Sequence, residues 1–311
     1  MKNITYEQEL QLHESLKIPF FEGWYFRFVS DEFSAAIILG IARTAENQEA
    51  FIQVFHTEAQ IMEKASYNQD EWRYQAKPFE LHIGRSVFLG NYLHIEDTRL
   101  SRVFDFQFQN AVHIHQSVYA PTIMGPFAYL KNMQCNHAII NLGSRAVCFM
   151  ENNQQILKRK GIVYQEKDWG TSFPQRYIWA QSNCCDEQPA ALFFSCAAIP
   201  LGLFHFTGII MVVKDQHTEY RFASYHGAVL TKARSNENGF YLCIRQGFYQ
   251  IECTIRMNTA FQLEAPQQGE MNRIVQECLL GHVDLYISRC GKRIRKLTFH
   301  HCGIENDHFF S

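Results

Sequence analysis

The stretch YQEKDWGTSFPQRYIWAQSN, residues 164–183, carries two carboxylates and a tryptophan within the four positions from Glu166 to Trp169. In an extended chain, successive side chains point to opposite faces. If residues 162–169 are extended, Tyr164, Glu166 and Asp168 share one face, and Lys167 and Trp169 take the other. An earlier stretch, FEGWYFRF at 21–28, repeats the order of acid, tryptophan and alternating aromatics. There Glu22, Trp24, Phe26 and Phe28 fall on one face, and Tyr25 and Arg27 on the opposite one. Further on, Tyr177, Trp179, Gln181 and Asn183 line up together. A carboxyl among aromatic groups is desolvated, so its pKa rises and it can hold a proton near neutral pH and donate it. Tryptophan and tyrosine faces can then stabilise a developing cation. The combination suits proton-driven addition, cyclisation or isomerisation of an alkene without a cofactor.

Within that chemistry Asp168 is the candidate proton donor, and Glu166 on the same face tunes it, because two like charges in one apolar site raise one pKa. His137 and Gln181 are candidates to orient a substrate hydroxyl. Trp24, Tyr25, Trp169 and Trp179 are candidate pocket walls together with Glu22, although strand parity forbids all of them from facing one cavity. Each has a structural counterpart. Glu22, Trp24 and Arg27 can form a lock at one end of a barrel. Asp168 can cap a turn or pair with Lys167 or Arg176, and His137 can be an internal hydrogen-bonding group. His113 and His115 have metal-compatible spacing on one strand face, but no third donor follows, so no metal site is expected. No glycine-rich phosphate loop and no nucleophile elbow is present in the sequence.

The elements that must position these groups read as strands. Phe104, Phe106 and Phe108 alternate with polar residues, as do Phe79, Leu81 and Ile83. Gly84, Gly90, Asn238-Gly239 and Gln246-Gly247 punctuate short apolar runs as turns. Helical spacing is confined to residues 6–16 and 270–280, and the second fits a strand equally well. The 311 residues suffice for one large or two ordinary domains, and 47% hydrophobic content builds a core without disulfides or metal. The 14% aromatic content, with 26 Phe and 14 Tyr, suits pleated faces. Many short strands with regular turns indicate an all-β chain of two barrels or sandwiches. The polar stretch ENNQQILKRKG at 151–161 places a boundary near 155, giving domains 1–155 and 156–311.

A formal charge of −2 argues against a nucleic-acid partner. The N-terminus has no apolar signal region, and no apolar run is long enough to cross a bilayer. The ten cysteines are therefore expected as reduced thiols in a cytoplasmic protein. Contact with a membrane would be peripheral.

Five stretches together resemble the tocopherol cyclase family: PFFEGWYFRF at 19–28, AFIQVF at 50–55, IMGPFAYLKNMQCNHAI at 123–139, residues 164–183, and MNRIVQECLLGHVDLYI at 271–287. The resemblance runs over nearly the whole chain. It implies two lipocalin-like β domains in tandem, with an apolar ligand in or between them. It also implies ring closure by protonation of a prenyl double bond and capture of the cation by a hydroquinone oxygen, with no redox cofactor. The leading expectation is thus a cofactor-independent cyclase or isomerase acting on a prenylated quinol or a similar apolar alkene. The alternative is a non-catalytic lipocalin-like carrier of a lipid, pigment or isoprenoid.

Overall fold

A computed structural model describes residues 6–13, 17–59, 61–130, 133–152, 155–201, 204–236 and 239–309. The chain is all-β, as expected, and divides into two compact units. The first contains residues 1–173 and 263–274, and the second 174–262 and 275–311. The break therefore falls near 173 rather than near 155. The reason is pairing: Gln155–Gly170 is a central strand of the first sheet, antiparallel to Phe20–Val29 on one side and Cys135–Asn152 on the other.

The first sheet runs in the order Glu63–Tyr67, Gln48–His56, Ser34–Arg43, Phe20–Val29, Gln155–Gly170, Cys135–Asn152, Val103–Phe108, Tyr92–Ile95, Ser86–Phe88, Glu80–Ile83 and Trp72–Gln75. Its inner face builds one apolar core. Trp24, Phe26 and Phe28 meet Phe88, Phe104, Phe106 and Phe108 there, and the three alternating phenylalanines of Val103–Phe108 stack along their strand. Gly84, Gly90 and Gly247 take left-handed backbone angles at the turns their positions suggest. At the fourth expected turn, Asn238 lies outside the described residues.

The second sheet runs Glu219–Ala223, Phe204–Asp215, Ala190–Leu201, Tyr177–Ser182, Lys292–Asp307, Glu270–Arg289, Tyr249–Arg256, Gly239–Gln246 and Val229–Asn236. Residues 270–280 are thus strand, not helix. Further along the same strand, Val283, Leu285 and Ile287 alternate into the second core. Of the residues 6–16, a helix forms over Tyr6–Leu10, and 14–16 lie outside the described residues. His113 and His115 sit on irregular chain rather than on a strand face.

A lock does close over the first core, but with a different cation. Arg27 is one residue out of phase with Glu22 and Trp24 and points to the other face of the sheet, in line with Tyr25. Lys167, from the adjacent strand, takes its place. Its Nζ lies 2.5 Å from Glu22 Oε1 and 5.3 Å from the ring centroids of both Trp24 and Trp169, and it donates to the Gln11 carbonyl. The backbone N–H of His13 donates to Glu22 Oε2 at 2.9 Å, its ring stacks on Trp169 at 4.6 Å, and Trp24 Nε1 donates to the Leu10 carbonyl at 3.0 Å. Residues 10–13 are thereby pinned across the sheet. Burial pushes the Glu22 carboxyl up, but Lys167 and His13 outweigh it and hold the group below the usual carboxylate range.

Removing one partner of a fully buried ion pair leaves the other charge uncompensated, at a cost of roughly 3–5 kcal/mol. Lys167→Met is expected to lower unfolding stability by about that amount, and adding Glu22→Gln to recover part of the loss. Denaturant titration of the single and double variants measures both.

Candidate active site

The other face of the same strand carries the second set of buried charges. Antiparallel pairing sets Asp168 opposite His137 on Cys135–Asn152 and Gly23 on Phe20–Val29, and Glu166 opposite Ile139 and Tyr25. Tyr25, His137, Tyr164, Glu166 and Asp168 therefore occupy one surface of the sheet, turned away from Trp24, Phe26 and Phe28. His137 Nδ1 donates to Asp168 Oδ1 at 2.7 Å, and its Nε2 lies 3.6 Å from Glu166 Oε2. The Tyr164 hydroxyl donates to Glu166 Oε2, and the Tyr25 ring meets Tyr164 edge-on at 6.5 Å. The result is a continuous polar chain, Tyr164–Glu166–His137–Asp168.

Gly170 ends the strand, and its residue type is required there. Its φ is +153°, and a Cβ at this position would stand 2.2 Å from the Gln134 carbonyl oxygen. That carbonyl accepts the N–H groups of Thr171 and Ser172 at 2.8 and 3.2 Å. The D-W-G-T-S run is thus a strand terminus that fixes Asp168 two residues before the chain turns.

Burial alone would depress the His137 pKa. The carboxylates of Asp168 and then Glu166 outweigh it and push the imidazole up to about 9. The ring is a cation at neutral pH, clamped between two carboxylates. Asp168 is the more open of the two, with 16% of its side chain exposed against 7% for Glu166. Burial also pushes the Glu9 carboxyl up to about 8, against the opposing pull of Lys167 and His137. Gln116 Nε2 donates to Glu9 Oε1 at 3.3 Å. One donor atom from each of His137, Glu166 and Asp168 lies within 4.8 Å of the others, so the same cluster can accept a cation. Sequence spacing hid this donor set, because its members come from two strands.

The candidate catalytic residues Asp168, Glu166 and His137 are brought together, and Tyr25 joins them. Glu22, Trp24 and Trp169 are separated from them by the thickness of the sheet, in the lock around Lys167. Parity explains the split: they alternate with the cluster residues along the same two strands. Asp168 pairs with His137 rather than with Lys167 or Arg176. Trp179 and Gln181 belong to the second unit, where both are buried on the strand Tyr177–Ser182 and Gln181 Nε2 donates to Asn183 Oδ1 at 2.6 Å. Tyr164 and Glu9 were not among the candidates. Tyr164 was within reach, since it shares parity with Glu166 and Asp168, whereas no local pattern marks Glu9.

The architecture is that of a two-unit lipocalin-like β protein. The family model for tocopherol cyclase-like proteins matches residues 122–306, more than half of the chain, and the matched span includes His137, Glu166 and Asp168. The chain belongs to the tocopherol cyclase-like family. No curated protein matches it. Among solved structures, an AttH protein from Nitrosomonas europaea superposes with a TM-score of 0.59 at 10% identity, covering 98% of both chains. Kievitone hydratase from Nectria haematococca gives 0.54 at 7% identity, covering 92% of this chain and 88% of its own. CghA in complex with Sch210972 gives 0.52 at 7% identity, covering 93% and 88%. At these identities the likeness establishes the fold. No helix among the described residues is long and apolar enough to cross a membrane.

The raised His137 pKa has a thermodynamic consequence. Between about 6.5 and 9 the folded chain holds a proton that the unfolded chain has released, so stability falls as pH rises through that window. The full effect is about 3 kcal/mol. The raised Glu9 carboxyl acts in the same direction, but over about 4.5 to 8. His137→Gln is expected to abolish the decline between pH 8 and 9 and to make that between about 6.5 and 8 shallower, leaving the share due to Glu9, as read from urea unfolding at a series of pH values.

Proposed function

We propose that the chain is a cofactor-independent proton-transfer enzyme of the cyclase or isomerase type. Its proposed substrate is an apolar alkene that carries a hydroxyl, such as a prenylated quinol. The observation supporting this is the His137 ring held between Asp168 and Glu166 on one aromatic-flanked surface. A histidine in that position stores a proton that either carboxylate can take up.

His137 passes its proton to Asp168, the more open acid, which transfers it to one alkene carbon. The π electrons form the new C–H bond and leave a cation at the other carbon. The carboxylates and the Tyr25 and Tyr164 rings stabilise that charge. The substrate hydroxyl oxygen then forms the C–O bond, and its proton returns to the Asp168 carboxylate. Substrate and product are isomers, so no oxidant, reductant or net proton is required. Asp168 hands the returned proton back to His137, which also holds the carboxylate in place, and the hydrogen bond from Tyr164 orients Glu166. Hydration of an alkene begins with the same protonation and differs in the nucleophile that follows, which suits a fold shared with a hydratase.

The test is incubation of purified protein with a panel of prenylated hydroquinones and polyenes, followed by chromatography with mass detection. Cyclisation keeps the mass and shifts retention. Asp168→Asn is expected to reduce kcat by at least ~10²-fold, and Tyr164→Phe by much less. Full turnover by Asp168→Asn would refute the donor assignment. Loss of activity with a chelator and its return with a divalent ion would make the cluster a metal centre. A co-purifying ligand that is never converted would favour the carrier.

A further inference from the structure

On the opposite side of the sheet from this cluster, the first unit contains a cavity of about 770 Å³. That volume lies within the roughly 300–1,000 Å³ typical of small-molecule sites. Its lining is mixed: Leu10, Phe79, Leu89 and Phe108 supply apolar surface, and Lys77 and His113 stand among its polar groups with Asn141 and Gln165. No aspartate or glutamate lines it among the described residues. Gln165 shares parity with Val163 and Lys167, so it faces the core side while its neighbour Glu166 faces the acid cluster.

The two amides differ. Asn141 is brought opposite Gln165 by a β-bulge between Ile139 and Ser144 and is engaged at both ends of its amide. Its Oδ1 accepts the N–H groups of Val112 and Gly143 at 3.0 and 3.1 Å, and its Nδ2 donates to Ser144 Oγ at 2.8 Å. Gln165 is 3% exposed, and its Nε2 is buried without a hydrogen-bond partner among the described residues. A buried amide donor left unpaired is costly, and native structures rarely keep one without reason. An acceptor atom from a molecule in the cavity would satisfy it. With apolar patches, a buried unpaired amide and no acid among the described lining residues, the cavity has the chemistry of a binding site rather than of a proton donor.

We propose that this cavity is a second, non-catalytic site for an apolar small molecule ending in a neutral oxygen acceptor, a carbonyl or hydroxyl, that takes the Gln165 Nε2–H. The proposal does not rest on the proton-transfer reading, because the two sites use opposite faces of Gln155–Gly170 and share no side chain.

Three fluorescent probes test it: the methyl ester of parinaric acid, which carries an acceptor on an apolar polyene, the free acid, and diphenylhexatriene, which has no acceptor. The wild type is expected to bind the ester. Gln165→Leu should weaken the ester about tenfold and leave diphenylhexatriene unchanged. Ala111→Trp, which fills the cavity from a partly exposed lining position on irregular chain, should weaken both. Asp168→Asn should bind all probes as the wild type does. Circular dichroism melts confirm that each variant is folded. The proposal is overturned if the wild type binds none of the probes, if ester binding survives both cavity substitutions, or if Asp168→Asn abolishes it. Free acid bound more than about tenfold tighter than the ester would overturn the neutral-acceptor assignment in favour of a carboxylate recognised by Lys77 at the cavity lining.

Discussion

Three consecutive charged residues, Glu166, Lys167 and Asp168, lie in the middle of an eleven-stranded sheet, and none is exposed. A charge taken out of water must be paired or neutralised. Strand alternation decides how. Lys167 goes to the core side and finds Glu22, while Glu166 and Asp168 go to the other side and find His137. Each face therefore holds a compensated set of opposite charges, and the two sets are insulated from each other by the backbone between them. Much else in the first unit follows from this arrangement. Residues 10–13 are held where they are because the lock needs the Gln11 carbonyl and the His13 N–H. Gly170, two residues past Asp168, must be glycine because a Cβ there would meet the Gln134 carbonyl.

The two sets are built for different ends. On the core side the cation is a lysine, whose charge sits between two indoles and within contact of a single carboxylate. Nothing in that arrangement invites a proton to move, since the carboxylate is held below its usual range. On the other side the cation is a histidine, the side chain whose ordinary pKa lies nearest neutrality. It faces two carboxylates of unequal exposure, one of which also receives a tyrosine hydroxyl. A proton on that ring has a direct path to either carboxylate, because each member is in hydrogen-bond or near-contact geometry with the next. Separation by one residue in sequence thus corresponds to a division between a structural ion pair and a titrating one.

Much of this was legible in the residues. The alternation of Phe104, Phe106 and Phe108 identified a core-facing strand, and the parity of Tyr164, Glu166 and Asp168 identified a shared face. What parity cannot supply is the partner strand. Arg27 is near Trp24 in sequence, yet its phase excludes it from the lock. Lys167 lies more than a hundred residues away and fills the role because Trp24 and Lys167 are directly opposed in register. His137 met Asp168 through the same long-range register. The domain boundary was misplaced for a related reason. The described residues of the polar run at 151–161 lie at the paired ends of two antiparallel strands, and the second of these crosses back through the centre of the first sheet. Local polarity marks a turn equally well whether the chain leaves a domain or returns to it.

The position of Gln165 shows how far the logic of a single strand extends. A sheet residue between two acids faces away from them by necessity, so an amide there must be satisfied by whatever occupies the core side. Apolar neighbours cannot satisfy it, and the bulge that presents Asn141 consumes that residue's own hydrogen-bonding capacity on Val112, Gly143 and Ser144. An apolar side chain at this position would have removed the unpaired donor. The sheet instead retains both an opening and an unpaired amide at its lining, on the strand whose reverse face carries the acid cluster.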